Sequence, residues 1–567
     1  MNDLKNKGLV PEYYTEESLK TVGAGYLLPG ETPRDMYQRV AKAASSRLNM
    51  PEMESLFFHL FWEGWLGGAS PVLSNLGADR GLPISCFSIH CEDSVSSIFM
   101  KNHELAMLSK NGGGVGIYMG DLRGRGELIK GNGKAEGVIP WAKGFDTTTT
   151  IVSQGGVRRG ATALYLPVEH LDAEDFINIR RPMGDQNMRA MNINNAINIS
   201  DDFMNKVING DTESRRLWTE ILRTRVETGE PYLLFTDNVN NANPDCYKDK
   251  GLKVSTSNLC NEITLYTDKD HTFVCCLSSL NLSKWEEWKD FRFDNGMSVP
   301  EVATYFLEGV MTEFIEKARN ITGLECAVRF AEKGRPLGLG VLGWHSLLQS
   351  KMIPFDSFES MMLNAQVFSF IKNEAEKATK DMAVKFGEPE WCKGHNRRNT
   401  HLLAVAPTVS NSIIAGGVSQ GIEPVTSNYF GLKSAKGTFI RKNPYLEKLL
   451  DSKNKNTLEV WDQINSDEGS VLNLAFLSVE EKAVFQTARE INQFAIINQA
   501  SQRQAFICQS QSVNLFFAAN AEASYINQVH LQAWEKGLKG LYYLKSGTVL
   551  RGDLATRSKD ECLACQG

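Results

Sequence analysis

The chain has 567 residues, of which 42% are hydrophobic and 23% are charged, and its formal net charge is -6. This length suits several ordinary domains or one large barrel with appendages. The composition is that of a soluble globular protein, and the charge gives no sign of a nucleic-acid surface. The N-terminal run MNDLKNKGLVPEYY lacks the apolar stretch of a signal peptide, and no run approaches the roughly eighteen apolar residues of a membrane span. We therefore expect a cytoplasmic protein.

The first 68 residues are predicted to be helical. Thr32-Pro33 is a helix-start signal, because it places a capping residue before a proline at the first helical position. The run MESLFFHLFWEGWLGG then has apolar residues at helical spacing and ends at a glycine pair.

From Ala69 to about residue 549, short apolar runs alternate with amphipathic helical stretches, a pattern typical of an α/β protein with much parallel pairing. The runs predicted as strands include SCFSIHC, GGGVGIYM, ATALYLPV, NNAINIS, SNLCNEITL, FVCCLSSLNL, PLGLGVLGW and HLLAVAP. Residues 550–567 are polar and have little to bury, so we expect a mobile tail.

The eleven cysteines of a chain in a reducing compartment are not expected to form mostly structural disulfides. A zinc site would need two Cys/His pairs at short spacing, and only Cys562 and Cys565 have such spacing. The sequence therefore predicts no metal site, and the thiols must serve chemistry or simple burial.

The stretch SNLCNEITL places an amide, a thiol and a carboxylate at alternate positions. If it is a strand, Asn258, Cys260 and Glu262 project from one face. No histidine is nearby to deprotonate the thiol. A cysteine in a strand is usually a small core hydrophobe, so the stretch alone leaves packing and catalysis both open.

Two further segments allow a phosphate-binding interpretation, although no GxxxxGK[ST] sequence occurs. Ser153–Thr162 joins flexible glycines to two arginines, which suits a phosphate or a base edge but also an exposed turn. Pro407–Ser412 offers hydroxyls and backbone amides where a helix would start, which suits an anion or an ordinary helix cap.

Tyr542 and Tyr543 are adjacent near the C-terminus. In a regular strand they would face opposite sides and need not touch, and two β-formers at a sheet edge would explain them. Tyrosine is also one of the few side chains that can lose an electron and a proton reversibly, so radical chemistry is the second interpretation.

Taken in order, Cys86 in PISCF, the SNLCNE stretch, Cys275 in FVCCLSSLNL, the tyrosine pair and the terminal Cys562 and Cys565 resemble the large, catalytic subunit of class I ribonucleotide reductase. The resemblance covers nearly the whole chain from Ala69 onward. It implies a ten-stranded α/β barrel built from two five-stranded parallel halves in antiparallel arrangement. The expected divisions are a helical region (1–68), the barrel (69–549) and a redox tail (550–567).

The resemblance implies a role for each catalytic residue. Cys260 would become a thiyl radical that abstracts the ribose 3′-hydrogen, Glu262 would act as general base at the 3′-hydroxyl, and Asn258 would orient the substrate. Cys86 and Cys275 would deliver two electrons and end as a disulfide, with Cys276 as an extra neighbour. A radical route needs no thiolate, so the missing histidine no longer counts against Cys260.

The resemblance also implies two partner proteins and no permanently bound cofactor. Cys562 and Cys565 would re-reduce the internal disulfide by exchange and be served by a thioredoxin- or glutaredoxin-like reductant. Eighteen residues separate Leu544 from Cys562, which gives an extended reach of about 60 Å. Tyr542 and Tyr543 would relay the radical from a separate metal-containing small subunit, because this chain has no Glu-x-x-His pair with which to generate one.

Substrate and effector sites follow from the same resemblance. A dNTP or ATP specificity effector, bound by a homodimer, would contact Asp93, Arg123, Ile129 and Arg158, and its binding would be reciprocally coupled to that of substrate. The ribonucleoside diphosphate would be bound by Ser70, Ser85, Pro407, Thr408, Val409, Ser410, Asn411 and Ser412.

Two alternatives and one departure from the family bear on this interpretation. An adenosylcobalamin-dependent reductase shares the barrel and the cysteines but has no use for a tyrosine relay between subunits. A non-catalytic nucleotide-binding paralogue would have no need of a terminal dithiol. Only about seventy residues precede the barrel, so we expect no ATP-binding cone and no inhibition by dATP through one.

Overall fold

The computed structural model of the protein describes residues 1–152, 160–434 and 437–547. The chain begins with four helices, α1 (Asn2–Asn6), α2 (Glu16–Gly23), α3 (Pro33–Leu48) and α4 (Met53–Trp62). The Thr32 hydroxyl accepts a hydrogen bond from the Asp35 amide, and the Asp35 carboxylate accepts one from the Thr32 amide. This reciprocal capping box fixes the start of α3 at the predicted residue.

The strands that follow are, in chain order, β1 (Leu66–Gly68), β2 (Cys86–His90), β3 (Gly114–Tyr118), β4 (Leu128–Ile129), β5 (Gly133–Lys134), β6 (Ala161–Pro167), β7 (Asn194–Ile199), β8 (Tyr232–Phe235), β9 (Phe273–Asn281), β10 (Leu337–Leu342), β11 (Tyr429–Ser434), β12 (Gly437–Lys442), β13 (Leu515–Phe517), β14 (Gly540–Leu541) and β15 (Leu544–Ser546).

The remaining α-helices are α5 (Ser70–Asn75), α6 (Val95–Lys110), α7 (Val138–Ile151), α8 (Ala173–Ile177), α9 (Asp201–Asn209), α10 (Thr212–Thr228), α11 (Thr236–Asn241), α12 (Asp245–Lys248), α13 (Trp285–Trp288), α14 (Val299–Ala318), α15 (Glu325–Gly334), α16 (Trp344–Ser350), α17 (Phe358–Phe386), α18 (Val409–Ile414), α19 (Pro444–Ser452), α20 (Leu458–Ser466), α21 (Val479–Val484), α22 (Gln493–Gln504) and α23 (Ala523–Glu535). Short 3-10 turns lie at Gln186–Met188, Leu282–Lys284 and Glu390–Cys392.

Within the ranges just given, nine strands form the main sheet. Its centre is a run of five parallel strands in the order β2-β3-β6-β7-β8. Strand β9 pairs antiparallel with β2 and parallel with β10, while β1 and β14 pair antiparallel with β9 and β8. The predicted α/β architecture with much parallel pairing is confirmed.

The expected count of ten strands is not reached in the described part of the chain. The run HLLAVAP, predicted as a strand, is present only as two single bridges, Leu339 with Leu403 and Val405 with Gln511. Residues 401–404 bond to β10 and Val405 bonds to residues 510 and 512, so the segment passes from one partner to another before a ladder with either can form. The prediction of a full strand at HLLAVAP was wrong.

The core lies on both faces of the main sheet. All nine residues of β9 are buried, and the long helix α14 packs across β9 and β10. Burial on both faces is what parallel sheets require, and it explains the continuous apolar runs. A second, smaller core gathers around Trp461 and Phe485. Within the residues described, no helix has the length and apolar composition that a membrane crossing requires.

The stretch SNLCNEITL is not a strand, and that prediction was wrong. Leu259 and Cys260 form a turn, and Asn261 has the left-handed φ of 63°. The physical reason is the side chain of Asn258, whose Oδ1 accepts hydrogen bonds from the amides of Glu262 and Ile263, each at 3.2 Å. Such local side-chain bonds compete with a strand ladder for the backbone donors.

Candidate active site

The segment 252–268, here called the thiol loop, lies against the inner side of the curved sheet. Four strands reach its backbone or side chains through polar groups. The Tyr165 hydroxyl of β6 donates to Asn258 O at 2.6 Å, and Asn198 Nδ2 of β7 donates to Ser255 O at 2.6 Å. Ser88 Oγ of β2 lies 3.0 Å from Thr256 Oγ1, and Leu233 O of β8 accepts from the loop at 3.0 Å. These bonds satisfy polar groups that would be costly to bury unpaired.

Strand β3 approaches the thiol loop most closely. A Cβ atom added at Gly116 would lie 1.9 Å from Ser257 O, closer than any real contact. The missing side chain of Gly116 is therefore what lets the backbone of the loop pass across this strand.

Cys260 and Glu262 are held together by the turn between them. Cys260 O accepts from Ser512 Oγ at 2.6 Å, and the same hydroxyl lies 3.3 Å from Glu262 Oε2. Ser510 N donates to Glu262 O at 2.9 Å. Burial, with the nearby charges of Glu262 and Cys260 adding to it, raises the pKa of Tyr165 well above its ordinary value. Asn258, Cys260 and Glu262 are thus linked through Asn258 Oδ1 and the Ser512 hydroxyl in a turn, and not by strand alternation.

Cys86 and Cys275 lie directly opposite each other in the antiparallel pair of β2 and β9. Opposed residues of such a pair have Cα atoms roughly 4.5 to 5.5 Å apart, within the span of a disulfide. Cys276 points the other way, and its Sγ donates to Leu307 O on α14 at 3.4 Å. Burial, and then the neighbouring Cys276 thiol, raises the pKa of Cys275 well above its ordinary value. This thiol therefore stays protonated at neutral pH.

Two residues of this site were missed by the sequence reasoning. Gln509 Nε2 donates to Cys275 Sγ at 3.4 Å and to Leu337 O at 2.9 Å. Ser512 supports the thiol loop as described above. The available signal was the run CQSQS, polar residues directly ahead of a strand, because polar side chains beside a core are there for hydrogen bonds.

Tyr542 and Tyr543 lie between β14 and β15 rather than inside a regular strand, so they need not face opposite sides. Their ring centroids are 4.4 Å apart, and the ring of Tyr232 lies 4.7 Å from one and 5.0 Å from the other. Asn261 Nδ2 of the thiol loop donates to Leu541 O at 3.2 Å. The tyrosine pair therefore begins one residue beyond a contact with the loop that carries Cys260. Tyr232 was not predicted.

The predicted substrate residues lie around β1 and the start of β2. Ser70 begins α5 directly after β1, Ser85 Oγ is 3.6 Å from Cys86 Sγ, and a Cβ at Gly67 of β1 would touch Asn411 at 3.6 Å. The chain turns at Thr408, whose φ is 54°, and α18 begins at the next residue, as predicted for this stretch. The hydroxyl-rich run Pro407, Thr408, Val409, Ser410, Asn411 and Ser412 thus lies against the strand beside the cysteines.

Three of the predicted effector residues, Asp93, Arg123 and Ile129, lie near one another beyond the ends of β2 and β3. Asp93 and Arg123 pair at 2.6 Å, and each side chain is about one-third exposed. Arg123 Nη1 also donates to Leu128 O at 3.2 Å, next to Ile129 in the β4–β5 hairpin. Arg158, Cys562 and Cys565 lie outside the described residues, as does most of the segment Ser153–Thr162.

No group of three or more His, Cys, Asp or Glu side chains in the described ranges could hold a metal ion. The chemistry that the described site can perform is that of thiols, a carboxylate and tyrosines, all within a water-poor interior.

Comparison with known proteins identifies the family. The family model for the ribonucleotide reductase barrel domain matches residues 84–214, 209–396 and 389–544, and the all-alpha domain of the same enzyme matches residues 13–81. A relative from frog virus 3 (isolate Goorha), whose name assigns it to the large subunit of ribonucleoside-diphosphate reductase, is 38% identical over 91% of this chain and 93% of its own length. The large subunit from invertebrate iridescent virus 3 is 32% identical over 89% of this chain and 90% of its own length.

A solved structure agrees with the sequence matches. The class Id ribonucleotide reductase alpha subunit of Actinobacillus ureae has a TM-score of 0.88 and 42% identity, and the alignment covers 95% of this chain and 99% of that one. Fold and thiols together therefore define an oxidoreductase with the reductase barrel fold. The chain belongs to the ribonucleotide reductase large-subunit family, as the catalytic subunit of a ribonucleoside-diphosphate reductase.

Proposed function

We propose that Cys260 acts as a thiyl radical, with Cys86 and Cys275 as the two-electron donor. The observation that carries this proposal is the direct opposition of Cys86 and Cys275 on the strands beside the thiol loop. Cys275 also lies close enough to Glu262 for the carboxylate to contribute to the raised pKa of the thiol, after burial and the Cys276 thiol. A dithiol, a third thiol and a carboxylate are then available around one ribose.

The reaction balances with these residues alone. The Cys260 radical takes the 3′-hydrogen atom, while Glu262 accepts the 3′-hydroxyl proton and Asn258 orients the sugar. The C2′–O bond breaks and the hydroxyl leaves as water after taking a proton from the dithiol. Cys86 and Cys275 supply two electrons and a second proton, which form the new C2′–H bond, and they become a disulfide. Glu262 returns its proton to the 3′-oxygen, and Cys260 returns the hydrogen atom to C3′ and is again a radical. The sum is a ribonucleotide and two thiols giving a deoxyribonucleotide, a disulfide and water.

The radical is proposed to enter from a separate metal-containing small subunit through Tyr543 and Tyr542. The ring contacts at 4.4 Å and the link from Leu541 to the thiol loop support this direction. The chemistry of the absent subunit supplies the oxidising equivalent, and this chain positions the tyrosines that receive it.

Substrate, effector and reductant roles are proposed on the same basis. Ser70, Ser85 and the run Pro407–Ser412 would bind the diphosphate substrate, and Asp93, Arg123, Ile129 and Arg158 a nucleotide effector in a homodimer. Cys562 and Cys565 would shuttle electrons from a thioredoxin- or glutaredoxin-like protein in the cytoplasm.

The finer divisions of the fold are proposals as well. The single bridges at Leu403 and Val405 support a second half that completes a ten-stranded barrel. The chain would then divide into a helical region (1–68), the barrel (69–549) and the redox tail (550–567).

The test mixes the purified chain with its cognate small subunit and measures CDP reduction with dithiothreitol across the four effectors. Cys260→Ser should abolish turnover, whereas Cys276→Ser, which alters a thiol facing α14, should retain most of it. Turnover by Cys260→Ser, or turnover with cobalamin and no small subunit, would overturn the proposal.

A further inference from the structure

Two cysteines outside the active site are paired with each other. Cys246 lies in α12 and Cys392 ends the 3-10 turn Glu390–Cys392, and both are almost fully buried. Helix α12 packs directly against this turn, and Cys246 Sγ donates to Thr400 O at 3.8 Å. The two thiols are near enough that each is the largest influence on the pKa of the other. The mechanism proposed above uses neither of them.

Aromatic packing holds the two segments in this arrangement. Tyr247, next to Cys246, packs edge-on against Trp391, next to Cys392, with ring centroids 6.1 Å apart. Tyr247 also packs edge-on against His401 at 4.6 Å, and Trp391 against Phe330 at 5.2 Å. The thiols are therefore brought together by the fold on either side of them, and no bond between the sulfurs is needed to keep them close.

The surroundings favour sulfur–sulfur chemistry over metal binding. The described ranges contain no third side chain placed to complete a metal site here. The hydrogen bond from Cys392 lowers the pKa of Cys246, against the opposing effect of burial, and the positive charge of Arg397 lowers it further. The same hydrogen bond, together with burial, raises the pKa of Cys392. Cys246 therefore ionises first and is the better nucleophile of the pair.

We propose that Cys246 and Cys392 are a second redox-active dithiol, which a hydroperoxide converts to a disulfide joining α12 to the turn Glu390–Cys392. The Cys246 thiolate attacks one peroxide oxygen, breaking the O–O bond and giving a sulfenic acid and water after proton transfer. Cys392 then attacks that sulfur, and the hydroxyl leaves as a second water. Two thiols and one hydrogen peroxide thus give one disulfide and two waters.

The dithiol is connected to the active site through the backbone that follows Cys246. Cys246 lies fourteen residues before Cys260, and the chain between them runs from α12 into the thiol loop. A bond to Cys392 restrains the start of that connection without touching any residue assigned to the reaction. In the oxidised chain the residues assigned to the reaction should thus be chemically unchanged, while α12 is covalently bonded to the turn Glu390–Cys392, which precedes Leu402 and Leu403 in the chain.

Peptide mapping of the full-length protein tests the proposal. The reduced protein is treated with hydrogen peroxide, the excess peroxide is removed, and the remaining thiols are blocked with N-ethylmaleimide in a denaturant that exposes them. The protein is then digested with trypsin without reductant. Trypsin cuts leave Cys246, Cys392, Cys86 and Cys275 on four separate peptides, so each pair of linked peptides has its own mass. Fragmentation identifies the linked sulfurs in the pair with Cys86 and Cys275, because Cys91 and Cys276 lie on the same two peptides. We expect a Cys246–Cys392 cross-linked peptide that dithiothreitol removes, besides one joining Cys86 and Cys275.

Variants and an internal control make the result decisive. Cys246→Ser and Cys392→Ser should each lose the new cross-link, whereas Cys326→Ser, which alters a half-buried cysteine elsewhere, should keep it. If the Cys86–Cys275 peptide forms while Cys246 and Cys392 are fully alkylated, the proposal fails. The wild-type map alone decides this even if a serine variant does not fold, and no activity assay enters the result.

Discussion

Ser512 supports two groups of the active site with one hydroxyl. It donates to Cys260 O at 2.6 Å and lies 3.3 Å from Glu262 Oε2. Because one proton serves both oxygens, this side chain couples the position of the thiol to that of the carboxylate. Ser510, two residues earlier, has a buried hydroxyl without a hydrogen-bond partner among the described residues. The two serines therefore form a matched pair for mutation.

Ser512→Ala should lower kcat for CDP reduction by roughly tenfold, because a loss of about 1 to 1.5 kcal/mol of positioning energy has that effect on a rate. KM should change little, since Ser512 is not among the residues assigned to substrate. Steady-state assays with the small subunit in excess measure both constants. Ser510→Ala should leave both unchanged, and an equal loss in the two variants would show that only packing was disturbed.

Lys539 is a buried cation close to the tyrosine pair. It is 1% exposed, and its Nζ donates to Cys508 O at 2.5 Å. Burial lowers its pKa from the ordinary 10.5 to about 8. Between these values the unfolded chain binds more protons than the folded one, so stability from this group rises as the pH increases from 8 toward 10.5. Below pH 8 the full cost of the buried charge, about 3 kcal/mol, is present.

The free energy of unfolding of Lys539→Met, relative to wild type, should therefore fall by about 3 kcal/mol between pH 8 and pH 10.5. Taking the difference between the two proteins removes the titration of the other groups. Urea denaturation at a series of pH values measures it. A difference for Lys539→Met that does not vary with pH would contradict the assigned pKa.

At the scale of elements, the thiol loop depends on the strands that it crosses. Gly116 of β3 meets the loop backbone at Ser257, which cannot rotate away as a side chain could. Gly144 in α7 has open space where its Cβ would be. Alanine substitution at both glycines therefore compares a position where two backbones are in close contact with an ordinary position in a helix.

Gly116→Ala should destabilise the protein by about 2 to 3 kcal/mol and reduce CDP reduction more than tenfold, because the loop and its thiol must shift. Gly144→Ala should stabilise it by about 0.5 to 1 kcal/mol, since alanine favours the helix and loses less entropy on folding. Thermal unfolding and the activity assay read both effects. A Gly116→Ala protein with wild-type activity would mean that the loop position is not needed for catalysis.

The elements also show what could be predicted from sequence. The capped start of α3, the apolar strands and the α/β class follow from local patterns, which the structure confirms. The conformation of the thiol loop could not be predicted in this way. The Asn258 side chain bonds to backbone amides of its own segment in place of a strand ladder, and an alternating polar pattern is the same for a strand and for this turn. Ser512 and Gln509 could not be assigned either, since each acts on a residue more than two hundred positions away. Such contacts exist only once the chain is folded.

For the whole molecule, the burial of Cys86 and Cys275 decides which reductant can reach them. They are 5% and 0% exposed, so a small thiol can enter with the solvent whereas a folded reductant protein cannot. A second dithiol on the chain would have to carry electrons from the reductant protein to Cys86 and Cys275, and Cys562 and Cys565 are the residues proposed for this role.

Cys562→Ser should therefore keep turnover driven by dithiothreitol and lose turnover driven by thioredoxin by at least a hundredfold, because thiol exchange requires both sulfurs of a pair. Parallel assays with the two reductants measure the ratio. Cys326→Ser should retain both activities. Equal loss with both reductants would contradict the shuttle role of the terminal dithiol.

The placement of Cys86 and Cys275 has a mechanical consequence. They lie where antiparallel pairing joins the five parallel strands to β9 and β10. The disulfide proposed to form in each turnover would therefore link the two parts of the sheet covalently. It would close a loop of nearly two hundred residues, which in the chain-entropy model stabilises the folded state by about 5 kcal/mol. The free energy of unfolding would thus be highest just after product has formed, and it would fall again each time the disulfide is reduced.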